Sequence, residues 1–320
     1  MLPGVRELSH PGFARILRLE LGSTVAFLAI HATRGGRSFG GVRIQEYPSE
    51  QSALDDALAL SRAMSRKMFL ADLPGGGAKT VVMRPPDAQR GEVLTRLGDV
   101  IAKLDGAYHC GGDLGYTAAD AQALRARTEH VAPDAIGHYT AATVFEALRS
   151  TCQPHVVAVQ GLGDVGRPLA ERLRSAGVRV IATDLHPVEG FELIDPGLIL
   201  EQEVDVFAPC AGGGVLSPSA VDRLRCRVVC GGANNPLTDH DVARLLAERG
   251  IVYVPDFVAN VGAVAHGVCR ASGVESQTSE HILAVGSRTR ELIELATARD
   301  GNVLTVAIAE ADRAITRFAD

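Results

Sequence analysis

VVAVQGLGDVGRPLAERLRSAGVRVIATD, residues 156–184, sets several elements in one line. Residues 156–159 are an apolar run of strand length. Gly161, Leu162, Gly163, Asp164, Val165 and Gly166 then form a GxGxxG turn. Val165, Leu169, Leu173 and Ala176 recur at helical spacing. Residues 178–182 are a second apolar run, closed by Asp184, 18 residues beyond Gly166. With 34 glycines in the chain the bare pattern says little, but its context is specific. Glycines there allow tight turning and close approach of a pyrophosphate, whose charge the helix N-terminus stabilises. An acid ending the second strand binds both ribose hydroxyls and repels a 2′-phosphate. Asp184 therefore favours NAD over NADP.

The alternation continues on the C-terminal side. DVFAPC, CRVVCGG and GIVYVPDF are short apolar segments, and the pattern predicts a parallel α/β sheet. The last 40 residues read as long helices. Upstream, a composition shift at 133–140 marks a linker, followed by a helix over 140–150. Further back, 24–30 reads as a buried strand and HATRGGRSFGGVRI as loop then strand. Helical spacing covers 52–64, a glycine-rich turn leads LPGGGAKTVVM into a strand, and 92–104 is a helix.

Composition bounds the function. The chain has 320 residues, 46% hydrophobic and 22% charged, so a packed core is available. A net charge of −6 and a pI near 5.9 oppose a basic nucleic-acid face. No apolar run reaches about 18 residues, so no membrane span is expected. The N-terminus lacks the apolar core of a signal peptide, which gives a cytoplasmic expectation. Six scattered cysteines form no CxxC pair and read as free thiols, with no metal site expected. Only Lys67, Lys79 and Lys103 are lysines, leaving 29 arginines among 32 basic residues. Coding bias towards Arg makes each remaining Lys a candidate for chemistry that Arg cannot do.

Lys67 and Lys79 lie 12 residues apart around a stretch ending LPGGGA. One reading is a surface turn with two solvated ammonium groups. The other is a loop whose backbone closely approaches a ligand. A phosphate loop does not fit, because Ala78 separates the last glycine from Lys79.

MSRKMFLADLPGGGAK resembles the glutamate/leucine/phenylalanine/valine dehydrogenase family. Further matches follow in family order: Gly112-Asp113-Leu114-Gly115, Thr140-Ala141, VQGLGDVG, APCAGG, GGANNPL and VPDFVANVGAV. They run from about residue 24 to 265 and look most like the leucine and phenylalanine branches. Arg66, Met68, Asp164 and Ala263 depart from the usual pattern. The resemblance implies a fold and a site. An N-terminal α/β domain, 1–136, would bind substrate and form the oligomer. A Rossmann-type doubly wound NAD-binding domain, 137–285, would follow across a cleft. The C-terminal helices, 286–320, would pack back toward the first domain.

The site carried over is as follows. Lys67 would hold the substrate α-carboxylate, Lys79 would be the catalytic lysine and Asp113 the proton relay. Phe39, Gly40, Gly41, Met64 and Gly111 would line the substrate pocket. Asn260 would bind the amino group or the ribose–nicotinamide region, and Thr140 the nicotinamide amide. Gly161 to Gly166, Asp184, Cys210, Ala211, Ala233 and Asn235 would hold the cofactor. The implied reaction is reversible oxidative deamination of an L-amino acid by NAD to a 2-oxo acid and ammonia, in a homo-oligomer.

The chemistry agrees with this set. Hydride loss leaves an iminium carbon that water must attack. A lysine whose pKa is lowered by burial and a second cation can act as general base near neutral pH, whereas Arg stays protonated. Glutamate-specific members resemble one another in a lysine at the side-chain end of the pocket, where this chain has Phe39. Burying a γ-carboxylate beside it would cost on the order of several kcal/mol. An apolar or aromatic L-amino acid is therefore expected, and Gly111 leaves room for a bulky one. Arg37 and Arg43 lie near enough in sequence to oppose this by reaching an acidic substrate. The alternatives are a glutamate dehydrogenase and a non-catalytic NAD-binding homologue.

Overall fold

The computed structural model describes residues 4–132 and 137–320. Its contacts divide the chain into two compact units. The first holds 4–132 with Gly267–Glu275 and Ala311–Asp320. The second holds 137–266 and Ser276–Glu310. The boundary expected at 136/137 and much of the linker fall on 133–136, outside the described residues. The boundary expected at 285/286 falls inside one helix, Thr278–Ala298, whereas the contacts divide the chain at 266/267, 275/276 and 310/311.

The first unit is built on six strands: β1 (Val5–Leu8), β2 (Arg15–Glu20), β3 (Val25–Ile30), β4 (Ser38–Gln45), β5 (Gly76–Met83) and β6 (Tyr108–Gly112). Their order in the sheet is β1-β2-β3-β5-β4-β6. β1, β2, β3 and β5 pair antiparallel in turn, whereas β4 runs parallel to both β5 and β6. α1 (Glu50–Leu70) lies on one face; α2 (Arg90–Lys103) and α3 (Ala118–Arg125) lie on the other. α1 starts at a capping box between Ser49 and Ser52. It runs past the helix expected at 52–64, so Lys67 stands in its last turn.

Strand alternation decides which residues face α1. Ala78 and Val82 of β5, Val42 and Ile44 of β4, and Tyr108 and Cys110 of β6 enter the core beneath α2 and α3. Val81 enters the core beneath α1, with Ala53 and Ala57 of that helix. By the same period Lys79, Phe39, Gly41, Arg43, His109 and Gly111 share the α1 face.

The glycines before Lys79 approach the protein's own atoms. A Cβ on Gly77 would lie 2.0 Å from the Ser65 nitrogen of α1, and one on Gly76 1.9 Å from the Ala32 carbonyl oxygen. This corrects the ligand-loop reading: the run lets α1 and the loop after β3 close onto β5.

In the second unit α4 (Gly137–Thr151) leads into β7 (Val156–Gln160), α5 (Gly166–Ser175) and β8 (Arg179–Thr183). β9 (Val206–Pro209), α6 (Pro218–Arg223), β10 (Val228–Val229), α7 (Asp241–Glu248) and β11 (Val252–Tyr253) follow. α8 (Asp256–Ala259), α9 (Gly262–Ala271), α10 (Thr278–Ala298) and α11 (Val303–Phe318) complete the chain. All five strands pair parallel in the order β8-β7-β9-β10-β11, a doubly wound sheet as expected. Chain order reverses between β7 and β9, and ligands of such sheets bind at that switch point. α9 and α11 each contribute residues to both units.

Candidate active site

Lys79 is 6% exposed, and its Nζ lies 3.0 Å from Oδ2 of Asp113, just beyond β6. Arg43 donates from Nε to the same Oδ2 at 2.8 Å. Burial lowers the Lys79 pKa, and the Arg43 charge adds to this, while Asp113 and Asp56 act against it. Burial pushes Asp113 up, but Lys79 and Arg43 outweigh it and hold the carboxyl at about 2. The result is an ionised acid beside an ammonium that has been made easier to deprotonate.

Behind Arg43, its Nη1 reaches Oδ2 of Asp56 on α1 at 3.2 Å, and the Tyr47 hydroxyl donates to that same oxygen at 2.5 Å. Arg43 is thus paired through Nε and Nη1 with two carboxylates, which offset its charge toward an acidic substrate. Phe39 is buried with its ring stacked on His109 at 4.9 Å, and a Cβ on Gly75 would strike that ring at 2.4 Å. Gly40 and Gly41 follow Phe39 in β4. Gly111 lies in β6, where a Cβ would meet Ala132 at 3.3 Å, so part of the room expected beside it is filled. Met64 and Lys67 are half-buried on α1. Next to Lys67, Arg66 makes a two-nitrogen pair with Asp312, and Met68 is fully buried. Those two departures from the family pattern therefore carry packing and ion pairing within the first unit.

In the second unit the glycine turn sits at the switch point. Gly161 has φ +88°, and a Cβ there would lie 2.9 Å from that of Ala211, beyond β9. A Cβ on Gly166 would lie 1.8 Å from the Gly161 carbonyl oxygen and 3.0 Å from Cβ of Cys210. Gly163 faces open space. α5 follows its N-cap, Val165, with no side-chain cap. In its first turn the Arg167 N–H donates to the Gly163 carbonyl, the Leu169 N–H donates to the Val165 carbonyl and Pro168 has no N–H. The Gly166 N–H and the positive end of the helix are therefore what the turn offers an anion. Asp184 accepts from the Leu162 N–H at 2.7 Å and from the His186 N–H at 3.1 Å. These two N–H groups lower its pKa, so it stands ionised at the end of β8. An open glycine, an uncapped helix start and a fixed carboxylate together fit a dinucleotide pyrophosphate and ribose.

Asn260, at the end of α8, is buried and donates to the Asn234 side chain at 2.8 Å and to the Gly232 carbonyl at 3.3 Å. Thr140 is buried in α4 and accepts from the Ala263 N–H at 3.2 Å. Ala233 is buried against the Pro209 carbonyl. Asn235 adopts φ +47° and donates its N–H to Asp256. Lys79, Asp113, Lys67, Met64, Phe39, Gly40, Gly41 and Gly111 are thus gathered in the first unit. Asn260 and the cofactor candidates lie in the second.

A glycine turn at the switch point of a parallel sheet, in one chain with a buried lysine–aspartate pair, defines a dinucleotide-dependent oxidoreductase. Residues 18–131 match the Glu/Leu/Phe/Val dehydrogenase dimerisation domain, and 183–284 match the Glutamate/Leucine/Phenylalanine/Valine dehydrogenase domain. Over 265 residues the chain is 36% identical to a leucine dehydrogenase of Thermoactinomyces intermedius, covering 75% of this chain and 72% of that one. Over 285 residues it is 32% identical to an L-tryptophan dehydrogenase of Nostoc punctiforme, covering 81% and 80%. The crystal structure of L-tryptophan dehydrogenase from Nostoc punctiforme is similar at TM-score 0.86 and 28% identity, covering 96% of each chain. The chain belongs to the Glu/Leu/Phe/Val dehydrogenase family, and it is an NAD-dependent amino-acid dehydrogenase.

Sequence reasoning missed Asp56, Tyr47 and Asn234. Asp56 is one of two adjacent aspartates in α1, and nothing local marks it. Asn234 could have been found, since it is the first asparagine of the same ANN motif that supplied Asn235.

Proposed function

We propose that the protein oxidises an apolar or aromatic L-amino acid with NAD and water. The products are the 2-oxo acid, ammonium, NADH and one proton. The buried Lys79–Asp113 contact at 3.0 Å carries this reading. Lys67 binds the α-carboxylate. Asp113, ionised, accepts a proton from the substrate amino group, so the nitrogen lone pair can form the C=N bond as hydride leaves Cα. When bound, NAD supplies the hydride acceptor. Neutral Lys79 takes a proton from the water that attacks the iminium carbon. The resulting ammonium stabilises the carbinolamine. Asp113 then returns a proton to the departing nitrogen, which leaves as ammonia. The carbinolamine hydroxyl gives its proton to that ammonia as the C=O bond forms, and Lys79 releases its proton to solvent. Thr140 and Asn260 orient the nicotinamide end of the cofactor.

Phe39 sets the substrate class. Its ring is held by His109 and the Gly75 backbone, and it offers nothing to pair with a γ-carboxylate. The pairing of Arg43 with Asp56 and Asp113 supports the same choice. A cytoplasmic homo-oligomer fits the match to a dimerisation domain and the six free cysteines. Among the described residues, no helix is long and apolar enough to cross a membrane. The test is a screen of the twenty L-amino acids with NAD at alkaline pH, read by NADH absorbance. Turnover is expected with branched or aromatic substrates. Turnover with glutamate alone would sink the apolar pocket, and tight NAD binding without turnover would sink the catalytic assignment.

A further inference from the structure

We propose that Arg43, braced from behind by Asp56 and Tyr47, is the positioning residue that turns Asp113 so that its Oδ1 faces the reacting atoms. This rests on the reading of Lys79 and Asp113 as the catalytic pair.

The geometry is specific. Arg43 Nε and Lys79 Nζ both address Oδ2 of Asp113, at 2.8 and 3.0 Å. Oδ1 is thereby left as the oxygen able to exchange a proton with a substrate nitrogen. A carboxylate held only by a flexible lysine could swing either oxygen toward it. The guanidinium prevents this because it is itself fixed at a second point. Its Nη1 lies 3.2 and 3.4 Å from the two oxygens of Asp56, and Tyr47 donates to Asp56 at 2.5 Å. Arg43 thus joins three segments: β4, which carries it, α1, which carries Asp56, and the end of β6, which carries Asp113. A lysine has one nitrogen and cannot span two carboxylates on different elements in this way. Side-chain exposures of 18% for Arg43, 25% for Asp56 and 20% for Asp113 keep the network from being screened as a surface pair would be.

The network also acts on the proton of Lys79. The charged groups bearing on that ammonium are Asp113 beyond β6, Arg43 on β4 and Asp56 on α1. Tyr47, in the loop after β4, stands behind Asp56, and α1 also carries Lys67. From β3 the residue opposite Lys79 is Ala29, which has no charge. Arg43 favours neutral Lys79, whereas Asp113 and Asp56 favour the ammonium. Removing Arg43 leaves Asp113 paired to Lys79 alone, so the ammonium keeps its proton to higher pH. Removing the charge of Asp56 acts in the opposite direction.

The experiment is the pH profile of kcat for oxidative deamination in the holoenzyme, with Lys79→Ala and Asp113→Asn as controls. Arg43→Gln is expected to lower the plateau of kcat by about 10- to 100-fold, the scale of a misplaced catalytic group. It should also move the acidic limb up by about one pH unit, with little change in KM for the amino acid. Arg43→Lys should keep the limb near its wild-type position with an intermediate plateau. Asp56→Asn should move the limb to lower pH, and it decides the matter if Arg43→Gln does not fold. Limbs that stay fixed in Arg43→Gln and Asp56→Asn, while both controls are dead, would overturn the role of Arg43 and leave the catalytic pair standing. Controls that keep wild-type kcat would overturn the catalytic pair itself, and this inference with it.

Discussion

Lys79 Nζ lies 3.0 Å from Oδ2 of Asp113, although the strands that deliver the two residues do not pair with each other. Both strands pair with β4, and the residue of β4 between the two side chains is Gly41. A Cβ there would stand 3.0 Å from Nζ of Lys79 and 3.1 Å from Cβ of Asp113. The missing side chain is what lets base and acid meet across the intervening strand.

Gly41→Ala should therefore lower kcat by about tenfold or more while shifting Tm by only a few degrees. The added methyl presses on the movable end of a lysine, and the fold can absorb that. Gly40→Ala is the contrasting case, because its Cβ would fall 1.9 Å from the Ala78 carbonyl oxygen in the neighbouring strand. That variant should lose folded protein on expression. Steady-state kinetics with thermal melts separate the two, and a Gly41→Ala enzyme with wild-type kcat would remove the close approach from the mechanism.

Lys79→Arg keeps the positive charge and removes the ability to give up a proton near neutral pH. kcat should fall by about 10²- to 10⁴-fold, the usual contribution of a positioned acid or base. Far-UV circular dichroism should be unchanged. In the wild type, burial lowers the Lys79 pKa and Arg43 adds to it, so kcat for deamination should rise with pH on a limb below the ordinary lysine range near 10.5. An arginine variant that retains the limb and the rate would refute the general-base role.

The doubly wound unit was legible because its elements are local. Strand, glycine turn, helix and acid follow one another within 156–184, and the parallel sheet takes them up in that order. The lysines drew notice for a different reason: with three among 32 basic residues, each stands out against the arginines, and two of the three, Lys67 and Lys79, fall in the family motif. Arg43 was noticed only as a group that could reach an acidic substrate; as one arginine among 29 it carries no mark of its hydrogen bond to Asp113. Asp56 and Tyr47 were hidden because they reach Arg43 from a helix and a loop whose packing on the sheet is a tertiary fact. The glycines before Lys79 were misread because sequence cannot say whether a close approach is to ligand or to protein. The division points at 266/267 and 310/311 were likewise invisible, as they fall inside continuous helices.

Asp184 ties the glycine turn to the end of β8 through the Leu162 N–H at 2.7 Å, and it keeps lone pairs free for ribose hydroxyls. Asp184→Ser removes the charge that repels a 2′-phosphate. The ratio of kcat/KM for NAD over NADP should fall by at least about tenfold, equivalent to roughly 1.4 kcal/mol of lost discrimination. NADH affinity should weaken as well. It can be followed by NADH fluorescence without interference from tryptophan, which the chain lacks. An unchanged NAD/NADP ratio would mean that Asp184 only braces the turn.

His109 provides a pH test of the first unit. Burial, then the neighbouring His130 and Arg37, push its pKa down to about 4 from an ordinary 6.5. Between those two values the unfolded chain binds a proton at this position that the folded chain does not. Stability is therefore fully present above pH 6.5 and drains away as pH falls toward 4. His109→Phe keeps a ring against Phe39, which His109 stacks upon at 4.9 Å, and removes the titration. Its Tm relative to wild type should rise by a few degrees on going from pH 7 to pH 5. Parallel melts at the two pH values measure this, and a pH-independent difference would show that His109 takes up its proton at the same pH folded as unfolded.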